Sequence, residues 1–508
     1  SPVDKDVIWV GTDDGNLQLT KDGGKNWDNL SNQLPDFPKG AWIPQIEVSK
    51  KNAGEAFVIV NDYRRNNWSA YAYHTTNFGA SWNRIVNDRQ VKGHALSIVQ
   101  DPIEENLLFL GTDYGLYFSI DKGQNWNKWM KDFPAVSTRD LKIHEREHDL
   151  IVGTFGRAAW IMDDIRPFRE IAKTNGKVLL EEFKVFEASD AWLADYKSVD
   201  GIRFVADAVY RAKNRSTNAM ITLWNKPIEK KNEKSPDSKS ADKKEKNAEE
   251  DKTKKSKWKK DKLYVQVLNE AGDTIRTFSE KIDTGMVRIY WGLERNGIRF
   301  PSYRDAKPDS DPPRGPSVLP GRYKLVLTYN EHFDSTYVNV KMDPRSNSTL
   351  TDLENESKAI DNFYKTVEKT TIGFDRLKEA KKTIKLVNDQ MINAPDSTKE
   401  NIKKLGTAMQ DSIKNLMKLY VMPQGLKGIQ RNPNNLNGYI WNTYSYIRAS
   451  DGKPNQMAEY STKKLNKEIK IVIDQVNKFF SEDWDNYQKE VEKANASLFK
   501  KYDLIEIE

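Results

Sequence analysis

The chain has 508 residues, which exceeds one ordinary domain and predicts two to four compact units. Its formal charge is +7, from 81 Lys and Arg against 74 Asp and Glu, and its 37% hydrophobic content excludes a chain that is disordered throughout. The lack of cysteine excludes disulfides and cysteine zinc sites, and no apolar run approaches the roughly 18 residues of a transmembrane helix.

Residues 1–165 contain a repeated hairpin. Residues 8–15 read Ile-Trp-Val-Gly-Thr-Asp-Asp-Gly, residues 108–115 read Leu-Phe-Leu-Gly-Thr-Asp-Tyr-Gly, and residues 151–156 are a shorter copy. Similarity of this kind predicts equivalent hairpins in successive modules.

A second motif, Ser/Thr-x-Asp-x-Gly-x-x-Trp, follows the first two hairpins at residues 20–27 and 119–126. A third copy, at residues 75–82, has Asn for Asp. In such a turn the Asp or Asn side chain accepts backbone hydrogen bonds, and Gly supplies the positive φ. The Trp is expected to bury roughly 200 Å² between neighbouring sheets. These structural roles are predicted for Asp22, Gly24, Trp27, Asn77, Gly79, Trp82, Asp121, Gly123 and Trp126.

The intervals between these tryptophans fit four short strands per module, which is the spacing of β-propeller blades. Alternation predicts the strands of the second blade at residues 43–48, 56–60, 69–74 and 82–86, and those of the third within residues 95–130.

In the third blade an innermost strand precedes Asp101-Pro102, whereas Ser1-Pro2 occupies that place in the first blade. Because fewer than four complete blades are present, we expect the chain to be the C-terminal part of a longer protein. The missing strand, in the N-terminal propeller part of the same protein, is expected to pair with residues 8–10.

A small β-sandwich is predicted for residues 166–346, with strands at residues 219–224, 263–268, 288–291 and 323–328. It is interrupted by residues 227–262, which are rich in Lys, Glu, Asp and Ser and are predicted to be a disordered loop.

A helical bundle is predicted for residues 347–508. Apolar residues at three- and four-residue spacing define helices at residues 360–391 and 402–416, separated by a break at residues 394–397. After an Asn- and Gly-rich stretch at residues 425–438, a long final helix is predicted around residues 465–487.

Residues 144–148 read His-Glu-Arg-Glu-His, which matches the zinc-peptidase pattern. That chemistry needs a helix, whereas the alternation of Leu141 and Ile143 before the match predicts a strand, a turn and a second strand. We therefore predict no metal site, no cofactor and no catalytic residue in this segment.

Four aromatic residues, Trp42, Tyr63, Trp68 and Tyr114, are candidates for stacking on sugars or gripping a peptide, although packing between blades is the favoured explanation for them. Arg157 follows a Gly and could meet a carboxylate with two hydrogen bonds. We take these five residues as the candidate binding site.

The Asp boxes, the two long hairpins and residues 153–164 together resemble a bacterial family of sortilin-like, Asp-box (BNR repeat) β-propeller proteins. Residues 265–278, Trp291 and residues 319–323 are similar to the Ig-like segment, related to flagellar hook-capping domains, that follows the propeller in this family. Residues 343–345 and the helical tail also resemble the family. The resemblance implies an exported bacterial protein, secreted or associated with the cell surface or outer membrane, with sortilin-type peptide binding as the analogy.

Two functions stay open. The first is a non-catalytic binding or scaffold protein of the cell envelope, whose propeller binds a peptide, a protein or a glycan, with other envelope proteins as partners and no nucleic acid. The second is a glycoside hydrolase of the sialidase or xyloglucanase kind, with catalytic residues partly in missing upstream blades. Its candidate carboxylates are Asp13, Asp14, Asp113, Asp163 and Asp164, which turn chemistry explains equally well.

Overall fold

The computed structural model of the chain describes residues 1–194, 215–227, 262–305, 307–391, 395–425, 428, 434–449 and 453–494. The insert predicted at residues 227–262 lies almost wholly outside the described residues.

Residues 1–165, all of which the structure describes, form four small antiparallel sheets. In each sheet, strands that are neighbours in sequence are hydrogen-bonded neighbours, in the orders β1-β2-β3, β4-β5-β6-β7, β8-β9-β10-β11 and β12-β13-β14. The strands are β1 (Ile8–Gly11), β2 (Leu17–Thr20), β3 (Asp28–Asn29), β4 (Trp42–Val48), β5 (Ala56–Asp62), β6 (Asn67–Thr75), β7 (Asn83–Arg84), β8 (Ala95–Gln100), β9 (Leu108–Thr112), β10 (Gly115–Ser119), β11 (Asn127–Lys128), β12 (Thr138–His144), β13 (Asp149–Thr154) and β14 (Ala159–Met162).

This arrangement is that of propeller blades, as predicted. The first strands of the last three sheets, β4, β8 and β12, lie beside one another, so they form the inner strands of consecutive blades. The first sheet has no strand that corresponds to β4 and β8, and β1 is its edge.

Side chains of the second and third sheets alternate between two hydrophobic cores, because both faces of these sheets are covered. In β5, Val58 and Val60 pack against the first sheet, whereas Phe57 and Ile59 pack against the third. Successive side chains point to opposite faces of a strand, so a continuous apolar run serves two separate cores. The third core lies between the third and fourth sheets and includes Phe168 of a short helix, α1 (Arg166–Lys173).

After α1, two sheets share one hydrophobic core, in which Trp291 and Leu325 are fully buried. One sheet has the order β15-β17-β20, and the other has the order β16-β24-β23-β18-β19. A two-stranded sheet, β21-β22, lies beside them. The strands are β15 (Phe183–Val185), β16 (Ala191–Leu193), β17 (Ala219–Asn225), β18 (Leu263–Leu268), β19 (Thr274–Glu280), β20 (Gly285–Trp291), β21 (Glu294–Asn296), β22 (Arg314–Ser317), β23 (Gly321–Tyr329) and β24 (His332–Met342).

The remaining described residues are largely helical. The helices are α2 (Leu350–Gln390), α3 (Asp396–Tyr420), α4 (Leu436–Ile447), α5 (Gln456–Lys478) and α6 (Asp485–Lys493), with a π-helical segment at Phe479–Trp484. They share one core, as the predicted bundle requires. None of the helices in the described ranges is long and apolar enough to cross a bilayer.

Helix α4 was not predicted from the sequence, and its first residues belong to the stretch at residues 425–438 that was predicted as an Asn- and Gly-rich connection. The Asn435 side chain accepts a hydrogen bond from the Gly438 N–H at 2.9 Å, so this asparagine is a helix N-cap. The predicted final helix begins earlier than expected, at Gln456, again after an Asn N-cap.

Candidate functional site

The four sheets of residues 1–165 present two ends, because turns alternate between the ends of an antiparallel meander. One end, the loop end, carries residues 12–16, 63–66, 113–114 and 155–158. The other, the box end, carries the three Asp-box turns and the turn at residues 145–148.

A compact group of side chains lies at the loop end, between the second and third sheets. We call Trp42, Tyr63, Arg64, Trp68 and His94 the aromatic–arginine cluster. The Arg64 guanidinium lies 5.0 Å from the Trp42 ring centroid and 5.9 Å from that of Tyr63. The Tyr63 ring stacks on His94 at 5.2 Å, and Trp68 lies 5.7 Å from the same imidazole. The structure thus joins three of the five predicted binding residues.

The turn that carries Tyr63 and Arg64 is held by local hydrogen bonds. Asn66 adopts the left-handed conformation, with φ of 61°, and its side chain accepts a hydrogen bond from the Trp68 indole at 2.9 Å. Asp62 accepts a hydrogen bond from Arg65 at 2.6 Å. Arg65 is therefore neutralised within the turn, whereas Arg64 has no carboxylate within 4 Å among the described residues.

His94 and Asn61 lie beneath the aromatic rings. Both are almost fully buried, yet the His94 Nδ1 and Asn61 Oδ1 atoms have no hydrogen-bond partner among the described residues. Burial lowers the pKa of His94, Asp113 opposes that effect, and Arg139 adds to it. A neutral imidazole offers one donor and one acceptor, so one hydrogen-bonding position of His94 is unused among the described residues.

The inner strands share an irregularity at the loop end. Strand pairing shifts between Trp42 and Gln45 in β4, between Ala95 and Ser97 in β8, and between Thr138 and Asp140 in β12. A bulge re-aims the side chains that it carries. In β12 it leaves Arg139 exposed, with its guanidinium 5.4 Å from the Phe155 ring centroid and no carboxylate within 4 Å among the described residues.

The other two predicted binding residues lie at the same end but outside the aromatic–arginine cluster. Tyr114, 57% exposed, packs over Gly93, where an added Cβ would lie 2.8 Å from the Tyr114 ring. Arg157 is exposed in the turn of the fourth sheet, and its carbonyl accepts a hydrogen bond from the Trp160 indole at 2.9 Å. Sequence reasoning missed Arg64, His94 and Arg139, because only strand pairing and packing bring them to this end.

The Asp-box turns have the predicted hydrogen bonds. Asp22 accepts from the Lys25 and Asn26 N–H groups at 2.9 Å, and Asp121 accepts from the Asn125 N–H at the same distance. These bonds from Asn26, helped by Thr20, hold the pKa of Asp22 well below its usual range. Gly24, Gly79 and Gly123 all have positive φ. Asn77 plays the Asp role in the second sheet, accepting from the Ser81 N–H at 3.0 Å.

Packing of the box tryptophans differs from the prediction at one position. Trp82 and Trp126 are buried between sheets as expected. Trp27 is wrongly predicted to be buried between sheets, since it is 43% exposed. The reason is that, among the described residues, no sheet packs on that side of the first sheet.

The His-Glu-Arg-Glu-His segment forms a strand end and a turn, as predicted. His144 ends β12, and His148 has φ of 58° in the turn before β13. The His148 Nδ1 atom accepts a hydrogen bond from Arg169 of α1 at 3.0 Å, and Arg169 also pairs with buried Asp101 at 2.9 Å. This group joins α1 to the box end. Among the described residues no three or more His, Asp or Glu side chains are grouped to hold a metal.

The carboxylates considered for hydrolysis lie in the turns of the hairpins, at Asp13, Asp14 and Asp113, or in the connection between β14 and α1, at Asp163 and Asp164. Asp14 accepts hydrogen bonds from Thr12 and Asn16, and Asp164 pairs with Arg166 at 2.7 Å. A carboxyl group that sequence reasoning missed is Glu47 on β4. Burial raises the pKa of Glu47, Lys142 and Lys50 oppose that effect, and Asp140 adds to it.

No protein-family model and no curated protein matches the chain. Among solved structures, one described as YCF48 bound to D1 peptide has 18% identity and a TM-score of 0.25, over 32% of this chain and 49% of that one. The GH74 xyloglucanase from Xanthomonas campestris has 12% identity and a TM-score of 0.28, over 70% and 46%. The GH74 enzyme of Niastella koreensis has 15% identity and a TM-score of 0.27, over 31% and 26%. The matched region therefore spans less than half of each of these proteins, and such weak similarity transfers no function.

Proposed function

We propose that the chain is a non-catalytic binding protein whose propeller-like sheets hold a peptide segment of a partner protein at the loop end. The observation that carries this proposal is the aromatic–arginine cluster. Its rings offer exposed apolar faces, and its one cation lacks a carboxylate partner among the described residues.

The chemistry of the cluster favours an acidic peptide. A guanidinium that lies on aromatic rings keeps its N–H donors free while its orientation is restricted. Arg64 and Arg139 both have this arrangement at the loop end. A ligand carboxylate could accept two hydrogen bonds from either guanidinium, which is one of the stronger polar contacts that proteins make.

Stacking supplies the second part of the recognition. Trp68 is 54% exposed, and its indole is fixed by Asn66. A ligand can therefore stack on the ring with little further loss of side-chain conformational entropy. Large rings fixed in this way are the residues that dominate binding energies at protein interfaces.

Glycoside hydrolysis is the second candidate, and Glu47 favours it, because a carboxyl group with a raised pKa can act as a general acid. Glu47 lines a small cavity with Lys51, Asp101 and Glu105 towards the box end. The exposed rings that could hold a sugar lie at the opposite end, so the two parts of a hydrolase site are apart. We therefore place hydrolysis second.

The architecture and the location of the protein are part of the same proposal. We propose a β-sandwich at residues 166–346 and a helical bundle at residues 347–508 as separate domains behind the propeller blades, residues 1–165. The shared core of the two sheets supports the first. We propose a bacterial envelope location, with other envelope proteins or their peptides as partners, on the resemblance to exported Asp-box proteins.

Selection from a display library of random peptides on the full chain tests the binding proposal. We expect the enriched peptides to share Asp or Glu residues, and Arg64→Gln or Trp68→Ala to weaken their binding about tenfold or more. The matched control is Arg146→Gln, which removes an exposed arginine at the box end and should leave binding unchanged.

Two outcomes would contradict the proposal. One is a selection that enriches no peptide above an unrelated protein. The other is a set of enriched peptides that bind the Arg64 and Trp68 variants as well as the unaltered chain.

A further inference from the structure

The first sheet has one face that no other described part of the chain covers. Trp9 points towards the second sheet, where its ring lies 6.0 Å from that of Trp82. Because side chains alternate along a strand, Ile8 and Val10 point the opposite way. They are 40% and 38% exposed.

The third sheet supplies a matched comparison within the same chain. Leu108 and Leu110 of β9 occupy the places of Ile8 and Val10 in the repeated hairpin, and both are 0% exposed. They are buried because they pack against the second sheet, on Phe57 and Ile59. The apolar pair of the first sheet is thus built for a neighbour of the same kind.

The Asp-box turns show the same difference. The Trp126 indole donates a hydrogen bond to the carbonyl of Ile85, the residue after the last strand of the preceding sheet, at 2.7 Å. An added Cβ on Gly123 would lie 2.9 Å from the Ile85 side chain. Trp126 is 6% exposed as a result.

In the first sheet the corresponding contacts are made within the turn itself. The Trp27 indole donates to the Gly24 carbonyl at 3.1 Å, and the nearest atoms to an added Cβ on Gly24 belong to Trp27. The first Asp-box turn therefore lacks the covering sheet on which the other two pack. The hydrogen bond to a carbonyl of the preceding sheet is made by Trp126, whereas the Trp82 indole is buried against the preceding sheet without a hydrogen-bond partner among the described residues.

The exposed edge of the first sheet adds a third observation. In the third sheet, Ile98 pairs with Leu110 and Gln100 pairs with Leu108. Residues Ile8–Gly11 of β1 pair with β2 on one side, and among the described residues no strand pairs with the other side.

We propose that this face, formed by Ile8, Val10, Trp27 and the free edge of β1, is a docking surface for a four-stranded Asp-box sheet. The strand that follows the docked sheet pairs with the free edge of β1. The carbonyl of the residue after the fourth strand of the docked sheet accepts a hydrogen bond from the Trp27 indole. This proposal is independent of the function proposed for the loop end.

A second copy of this chain is a poor occupant of the face. Its fourth sheet is the one with a free outer face, but that sheet ends at its third strand, β14, and is followed by α1. The fourth sheet therefore lacks a fourth strand. It also lacks the carbonyl that follows such a strand and accepts the hydrogen bond of the Trp126 indole in the third sheet. Its outer face also carries Lys142 beside Ile151, so it matches the apolar pair less well.

The test uses a sheet that the chain already contains. Residues 42–107, which comprise the second sheet, β8 and the connection to β9, are joined directly to residue 8 of the full chain. Hydroxyl-radical footprinting then reads the oxidation of Trp27, with Trp126 as the internal reference. Hydrogen exchange reads the amides of Ile8–Gly11.

Without the added sheet we expect Trp27 to be oxidised about tenfold faster than Trp126 and the β1 amides to exchange rapidly. With the added sheet, the oxidation rate of Trp27 should fall to that of Trp126, and the β1 amides should become protected from exchange. In the joined protein, the double variant Ile8→Asp and Val10→Asp should restore rapid oxidation of Trp27. Supplying residues 42–107 as a separate polypeptide shows whether the occupant must be covalently attached.

Two results would overturn the proposal. One is a full chain without the added sheet in which Trp27 is already as protected as Trp126. The other is a joined protein in which the added sheet is itself protected from exchange while Trp27 keeps its original rate.

Discussion

Arg64 and Arg65 are neighbours in one turn, but they have different surroundings. Arg65 is neutralised by Asp62 at 2.6 Å, whereas Arg64 lies against two aromatic rings and keeps its donors free. An arginine that is held in place without a carboxylate partner keeps N–H donors that can bind a ligand. Both arginines belong to the short helical turn Tyr63–Arg65, which ends at the left-handed residue Asn66.

Glu55 is the residue whose ionisation contributes most clearly to stability. It is buried at the box end, where it meets His74 and Lys122, each at 2.9 Å. Burial alone would raise the pKa of Glu55, but these hydrogen bonds and the Lys122 charge outweigh it and lower the pKa to about 2.

Because the pKa of Glu55 is lower in the folded state, its stabilising effect is present above the ordinary value of 4.5 and is lost as the pH falls towards about 2. We expect Glu55→Gln to lower the free energy of unfolding by about 2 kcal/mol near neutral pH. Urea unfolding at several pH values measures this, with exposed Glu331→Gln as the control. A destabilisation that is the same near neutral pH and near pH 2 would show that ionisation of Glu55 is not its source.

Residue roles within the Asp-box turns could be predicted from the sequence, because every partner of Asp22 lies within four residues along the chain. The roles of His94 and Arg139 could not. Their surroundings come from loops and strands that are far apart in sequence, such as Tyr63 and Phe155.

At the scale of elements, the blade strands were predictable and one helix was not. Period-two alternation gives β5 and β6 within about two residues at each end. Helix α4 was missed because its polar face and its preceding Asn and Gly residues read as a loop, while its burial depends on contact with α2 and α5.

The box tryptophans provide a prediction about how elements hold together. Trp126 is buried between two sheets and donates a hydrogen bond to one of them, so Trp126→Ala should lower the free energy of unfolding by about 3–5 kcal/mol. Trp27→Ala should cost less than about 1 kcal/mol, because that side chain has no neighbouring sheet.

Denaturant unfolding of the two variants, followed by the loss of hydrogen-exchange protection in β9 and β10, compares them directly. Each tryptophan is the control for the other, since the two turns share a sequence pattern and the bonds to the box aspartate from the Ser or Thr hydroxyl and from the Asn N–H, and differ in the acceptor of the indole N–H. Equal losses of stability would mean that packing between sheets is not what distinguishes them.

At the scale of the whole molecule, α1 and the sheets that follow it contact the four sheets of residues 1–165 at the box end. Arg169 of α1 reaches Asp101 and His148, Arg215 pairs with Asp149 at 3.3 Å, and Arg288 donates to the Asp163 carbonyl at 2.9 Å. These contacts leave the loop end facing away from the attachment. The contacts at the box end could not be predicted from the sequence, because they join residues that are far apart along the chain.

Among the described residues, the helical region contacts residues 295–305 rather than the sheets of residues 1–165. Arg295 pairs with Asp361 at 2.9 Å, Asp305 pairs with Lys378 at 3.0 Å, and Phe300 stacks on Trp441 at 5.0 Å. Substitutions in the helices should therefore leave the aromatic–arginine cluster undisturbed, which separates effects on folding from effects on binding.

A double-mutant cycle tests most directly whether the Arg64 guanidinium contacts a carboxylate of a bound peptide. The affinity of one enriched acidic peptide is measured for the full chain and for Arg64→Gln, each with the peptide's acidic residue intact and replaced by its amide. We predict a coupling energy of about 1–3 kcal/mol between the two groups. Additive effects, with a coupling energy near zero for every acidic residue of the peptide, would contradict the claim.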